Sequence, residues 1–187
     1  MIAGGPHVVP PLAIGAVLMV MVYAGGHVSG AHYNPAVTLG VWMRGKLPTT
    51  DVAPYWIAQL VGAFAASFAV KFLVGAAAIR RWFRALARRS SRSSSSPSRS
   101  SMSCSTWRRR RPRRETRSTV SAIGMTVMAG AFAVGRVSGG AFNPAVAIGL
   151  STMGLVAPSS IWIHIVADLA GGAVAALAFK YINPDDK

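Results

Sequence analysis

The sequence predicts an all-α membrane protein, an inverted-repeat helical bundle with two re-entrant half-helices. Three observations predict it. The 187 residues are 52% hydrophobic with a mean hydropathy of +0.41, which places a bilayer protein first among the broad classes. One short stretch is written twice: 28–37, Val-Ser-Gly-Ala-His-Tyr-Asn-Pro-Ala-Val, returns as 137–146, Val-Ser-Gly-Gly-Ala-Phe-Asn-Pro-Ala-Val. Each copy opens an apolar helical turn too short to cross a bilayer, which takes ~20 residues.

The repeat has a fixed offset, because Asn34 and Asn143 stand 109 residues apart (143 − 34 = 109). Held at that offset, 13–40 and 122–149 agree at 14 of 28 positions, which establishes a duplication. Gln59 then falls opposite Asp168, Gly62 opposite Gly171 and Lys71 opposite Lys180. Within each copy the Asn suits an N-cap and the Pro suits the first helical position, where no backbone donor is lost. Irregular backbone at membrane depth is tolerated only where protein covers it or it lines a watery cavity. Two such half-helices in inverted orientation bring their electropositive N-termini and two Asn amides together near the midplane.

In chain order, 8–26 is an apolar, uncharged span whose Pro10-Pro11 suits a helix start. The first half-helix occupies about 34–43 and closes at Arg44-Gly45-Lys46-Leu47-Pro48, whose two basic residues suit a cytoplasmic loop. The clearest full span is 53–79, with Tyr55-Trp56 at the interface and Gly62, Ala63, Ala65, Ala66 and Ser67 as packing residues. Within it, Gln59 reads as a hydrogen bond between helices, and Lys71 faces protein or snorkels. A third span covers 120–137, with Arg136 as an interface charge near its end. The second half-helix covers about 143–151, and a last span covers 161–181. The domain reading is therefore 1–79, 80–119 and 120–187. No signal peptide is expected, since the first residues lack a basic n-region.

The net charge of +15 belongs to the middle segment alone. Residues 80–119 hold 14 of the 20 basic residues and one acid, Glu115. Its Arg/Ser composition can neither bury a core nor enter hydrocarbon, where each central Arg costs ~2.5–3.5 kcal/mol. Cys104 is the only cysteine, which excludes a disulfide framework. His7, His27 and His164 are scattered and make no metal constellation. His32 is expected to pack and hydrogen-bond inside its own loop.

Residues 29–38, Ser-Gly-Ala-His-Tyr-Asn-Pro-Ala-Val-Thr, resemble the first signature of the aquaporin / major intrinsic protein family. Residues 138–146, Ser-Gly-Gly-Ala-Phe-Asn-Pro-Ala-Val, are similar to its second, and 55–63 resemble the helix after the first. The resemblance covers about 8–79 and 120–182. It implies an aquaporin-like bundle in which six spans and two half-helices form one pore per subunit, with four subunits associating. About four of the six spans are recognisable here: none precedes residue 8, and Arg/Ser text stands where another is needed. The motif separation is nevertheless that of the family. A shifted reading frame across 80–119 gives this pattern, and a genuine disordered basic insert is the alternative.

The resemblance implies a multi-pass protein of the cell membrane, with the lipid bilayer, water and small neutral solutes as partners, and a homotetramer if intact. It implies no cofactor, no metal and no enzyme activity, and nucleic acid is not expected as a partner. The pore motifs are Asn34, Pro35, Ala36 and Asn143, Pro144, Ala145. The selectivity filter maps to Ile14, Ala131, Gly140 and Val146. Water-selective members carry an aromatic, a His and an Arg at three of these positions, and this chain carries none. The implied filter is wider and less polar, which favours water together with glycerol or urea. Glycerol facilitators usually have Arg-Asp after the second motif, which Val146-Ala147 does not match. Two other readings follow from 80–119: an inactive, frameshifted channel remnant that conducts poorly, or a membrane-anchored basic arm binding nucleic acid or anionic lipid.

Overall fold

The computed structural model describes residues 9–75, 78 and 115–184, and among these every regular element is helical. The helices are α1 (Val9–Ser29), the short α2 (Pro35–Met43), α3 (Thr49–Val74), α4 (Glu115–Ser138), the short α5 (Pro144–Thr152) and α6 (Ile161–Ile182). A single 3₁₀ turn, Pro158–Ser160, leads into α6. At the 109-residue offset α1 answers to α4, α2 to α5 and α3 to α6.

Two boundaries differ from expectation. α3 begins at Thr49 and ends at Val74, earlier at both ends than the span expected over 53–79. Pro48 stands before its first turn, and Gly75, at φ +78°, turns the chain out of the helix. α4 begins at Glu115, so the last five residues of the Arg/Ser-rich segment are helical. The rest of the segment, and Cys104 with it, lies outside the described residues. Where the sequence predicts four spans, three helical stretches among the described residues are long and apolar enough to cross a membrane: Val9–Ser29, Thr49–Val74 and Pro158–Ile182. In α4 the apolar part, Thr119–Gly135, is shorter.

The half-helices are built alike. Asn34 (φ −150°, ψ 120°) caps α2 and Asn143 (φ −152°, ψ 119°) caps α5, each followed by Pro at the first position. Both close on a left-handed glycine with a Schellman pattern. Gly45 N–H donates to the Trp42 carbonyl at 2.8 Å and Lys46 N–H to Val41 at 3.1 Å. Gly154 donates to Ser151 at 2.8 Å and Leu155 to Leu150 at 2.9 Å. A trailing glycine thus stops each helix after nine residues, well short of a span.

Packing follows the repeat. α1 crosses α4 at Gly15 and Gly124, where a Cβ on Gly15 would stand 2.8 Å from the Gly124 carbonyl oxygen, and one on Gly124 2.6 Å from that of Gly15. Small residues here let two backbones approach. Each half-helix packs on the last span of the opposite repeat: α2 against α6 through Gly40, Gly172 and Ala176, and α5 against α3 through Gly149, Ala63 and Ser67. The buried residues are small (Ala36, Thr38, Ala141, Ala145, Ala147), whereas Phe68, Phe72, Leu73, Val174 and Tyr181 face outward. Large apolar side chains outside and small ones inside are the reverse of a water-soluble helical domain and suit a lipid solvent.

Candidate functional site: the meeting of two half-helices

The loops before α2 and α5 converge. Asn34 Oδ1 accepts from Ala36 N–H at 2.9 Å and Asn143 Oδ1 from Ala145 N–H at 3.0 Å. The amide nitrogens reach across: Asn34 Nδ2 donates to the Phe142 carbonyl at 3.0 Å, and Asn143 Nδ2 to the Tyr33 carbonyl at 2.7 Å. Phe142 and Tyr33 are themselves repeat counterparts, so one contact is the other turned about a pseudo-twofold axis.

The half-helices run in opposite directions from this junction. Gln59 Nε2 donates to Thr38 Oγ1 at 2.9 Å, and Trp42 Nε1 donates to Thr49 Oγ1 at 3.0 Å, so α2 runs antiparallel to α3. Asn143 lies beside Tyr33, near Gln59, while the Gly149 carbonyl accepts from Ser67 Oγ at 3.0 Å, so α5 runs parallel to α3. Two helix N-termini therefore face one region from opposite sides.

One stripe of α3, at four-residue spacing, organises this region. Tyr55 Oη donates to the Ser29 carbonyl at 2.7 Å, Gln59 Nε2 donates to the His32 carbonyl, and Ala63 and Ser67 meet α5 at Gly149. His32 is buried, its ring 5.1 Å from that of Tyr55. Between the two held carbonyls lie Gly30 (φ +69°) and Ala31 (φ +52°), both left-handed. For Ala this conformation costs roughly 1–2 kcal/mol. The second loop has glycine at both places, Gly139 (φ +74°) and Gly140 (φ +71°). On α6 the counterpart of Gln59 is Asp168, which is fully buried.

An open cavity of about 580 Å³ lies between α3 and α5, bordered by His32, Tyr33, Gln59, Asn143 and Val146 among others. Of the four residues mapped to the filter, Val146 borders it and is half-exposed; Ile14, Ala131 and Gly140 do not. Ile14 is exposed on α1, Ala131 is partly buried on α4, and Gly140 sits in the second loop. The Asn-Pro-Ala residues gather; the mapped filter does not surround this cavity. Among the described residues no three His, Cys, Asp or Glu side chains stand together as metal ligands. Sequence reasoning missed the loop donor Tyr55, whose place near a span end suggests only an interface aromatic, and the crossing glycines Gly15 and Gly124. The glycines had a signal, since both belong to the identical positions of the repeat.

Comparison with known proteins accords with this geometry. The Major intrinsic protein family matches the chain over residues 7–106 and again over 94–186. The chain is 33% identical to Aquaporin NIP1-4 of Oryza sativa subsp. japonica over 92% of its own length and 64% of that relative's. It is 29% identical to Aquaporin AqpM of Methanothermobacter thermautotrophicus over 97% of its length and 79% of the relative's. A 56-residue stretch, 30% of the chain, is 52% identical to part of Aquaporin Z of Brucella melitensis biotype 1. The chain thus spans a little under two-thirds of the rice relative it matches. Its fold is the all-α, aquaporin-like membrane fold, and three of its helical stretches are able to cross a bilayer. With two family matches that together run from residue 7 to residue 186, around a duplicated Asn-Pro-Ala half-helix, this integral membrane protein belongs to the major intrinsic protein family.

Proposed function

We propose that this chain forms the central constriction of a transmembrane channel that passes water and small neutral solutes by diffusion, without catalysis. The observation that carries the reading is the reciprocal junction of Asn34 and Asn143 at the tips of two antiparallel half-helices. Each side-chain amide has two hydrogens, and the bridge to the opposite loop uses one. The other is available to a passing oxygen, and the paired positive helix ends oppose a cation. None of the mapped filter residues, Ile14, Ala131, Gly140 and Val146, carries a charge, so glycerol and urea are proposed to pass with water. The pore lies in a homotetramer embedded in the bilayer.

Osmotic shrinkage of proteoliposomes carrying the full chain tests this. Water efflux faster than in protein-free vesicles, reduced by Asn143→Ala, is the expected result; equal rates overturn it. The Arg/Ser composition of 80–119 favours a second reading, in which the chain as written is a remnant that conducts poorly, and equal rates are what that reading expects. Solute scope is read by replacing the impermeant osmolyte with glycerol or urea and following re-swelling.

A further inference from the structure

We propose that Gln59 is a positioning residue for the first Asn-Pro-Ala loop, acting by holding the left-handed turn at Ala31. The inference rests on the channel reading above for its consequence, but not for its geometry.

Tyr55 and Gln59 donate from successive turns of α3 to the carbonyls of Ser29 and His32. Those two carbonyls bracket Gly30 and Ala31, the two residues of this loop with positive φ. Ala31 is the one non-glycine residue in the left-handed region among the described residues. Its turn therefore relaxes toward extended or right-handed backbone unless something opposes the change. The two clamped carbonyls supply that opposition. Tyr33, two residues after Ala31, presents the carbonyl on which Asn143 fastens. Gln59 also donates to Thr38 Oγ1, and that hydroxyl donates to the Asn34 carbonyl at 3.2 Å, which ties the cap of α2 to the same amide.

The second repeat serves as an internal control. Its loop has Gly139 and Gly140 at the corresponding places, and glycine adopts such a turn at no steric cost. The residues of α6 at the positions of Tyr55 and Gln59 are His164 and Asp168, and Thr38 is replaced by Ala147. Glutamine and the left-handed alanine occur together in one repeat; in the other both are exchanged.

The test is a double-mutant cycle on the full chain, with Q59L, A31G and both together. Two readouts are taken: osmotic water permeability per reconstituted protein, and the thermal unfolding midpoint in detergent. Q59L is expected to lower permeability roughly tenfold, the size of effect that loss of a hydrogen-bonded, half-buried amide brings. A31G in the Q59L background is expected to recover most of that loss and of the fall in midpoint, because glycine accepts the turn unaided. Wild-type permeability in Q59L, or effects of Q59L and A31G that simply add, overturns the proposal. If wild-type vesicles pass no more water than empty ones, the channel reading fails, and the unfolding midpoints alone decide whether the two positions couple. Where Q59L does not fold, Q59N, whose amide is one carbon too short to reach, takes its place in the same cycle: recovery by A31G supports the proposal, and simple additivity overturns it.

Discussion

Asn34 and Asn143 each use the two ends of one short side chain on different halves of the molecule. The oxygen caps the residue's own helix, while the nitrogen holds the opposite loop. These roles separate by substitution. Asn34→Ser keeps a capping oxygen and loses the bridge; Asn34→Ala loses both. The first is expected to cost about 1 kcal/mol for a lost hydrogen bond, and the second about 1 kcal/mol more for the lost cap. Unfolding of the purified protein in detergent reads both steps, and the same ordering is expected at Asn143. The caps are legible in the sequence because a cap is local: Asn, then Pro at the first helical position, is a short contiguous signal. The bridges are legible only as convergence, and the donors from Tyr55 and Gln59 to carbonyls 26 and 27 residues upstream carry no local mark. A polar amide such as Gln59 within an apolar span predicts a hydrogen bond, which the structure contains, but its acceptor in the first loop depends on a turn that composition does not announce.

At the scale of elements, the half-helices are held by close backbone approach. A Cβ on Gly172 would lie 2.6 Å from the Ala36 carbonyl oxygen, and backbone cannot step aside. Gly172→Ala is expected to push α2 off α6 and cost about 1–3 kcal/mol. Gly62, on the cavity side of α3, has nothing within 4 Å of where its Cβ would stand. Gly62→Ala therefore gains helix propensity and stabilises by up to ~1 kcal/mol. A small-residue pattern alone ranks these two glycines together; paired unfolding measurements in detergent separate them, and equal effects would show that the α2–α6 contact yields. Ser67→Ala is intermediate, losing the 3.0 Å bond to the Gly149 carbonyl for about 1 kcal/mol. The half-helix bounds are legible from Pro at one end and the apolar run between. The left-handed glycines Gly45 and Gly154 that stop them share the repeat offset, and comparing the two copies beyond Gly40 exposes them. The start of α4 at Glu115 is hidden by composition, because a helix tolerates Arg and Ser that a bilayer core does not.

At the scale of the whole molecule, the contacts between repeats among the described residues are reciprocal. Gly15 meets Gly124 between α1 and α4, Asn34 meets the loop of Asn143, and each half-helix meets the last span of the other repeat. Every one of these contacts has its image 109 residues away, so strain on one half is mirrored on the other only where both copies are intact. Residues 80–119 break the pattern in chemistry, and the family matches nevertheless run through this segment. A shifted reading frame alters composition and preserves length, and it is the reading proposed for this segment. Reading the coding DNA one base over across these codons is therefore expected to give an apolar stretch of ~20 residues, enough to span. Arg108–Arg111 alone, placed at the bilayer centre, would cost on the order of 10 kcal/mol at ~2.5–3.5 kcal/mol each, comparable with the entire stability of a domain. A chain carrying the corrected stretch should pass water several-fold faster in proteoliposomes than the chain as written, at equal protein per vesicle. If neither alternative frame encodes an apolar run, the segment is a genuine basic insert and the comparison of the two chains loses its basis.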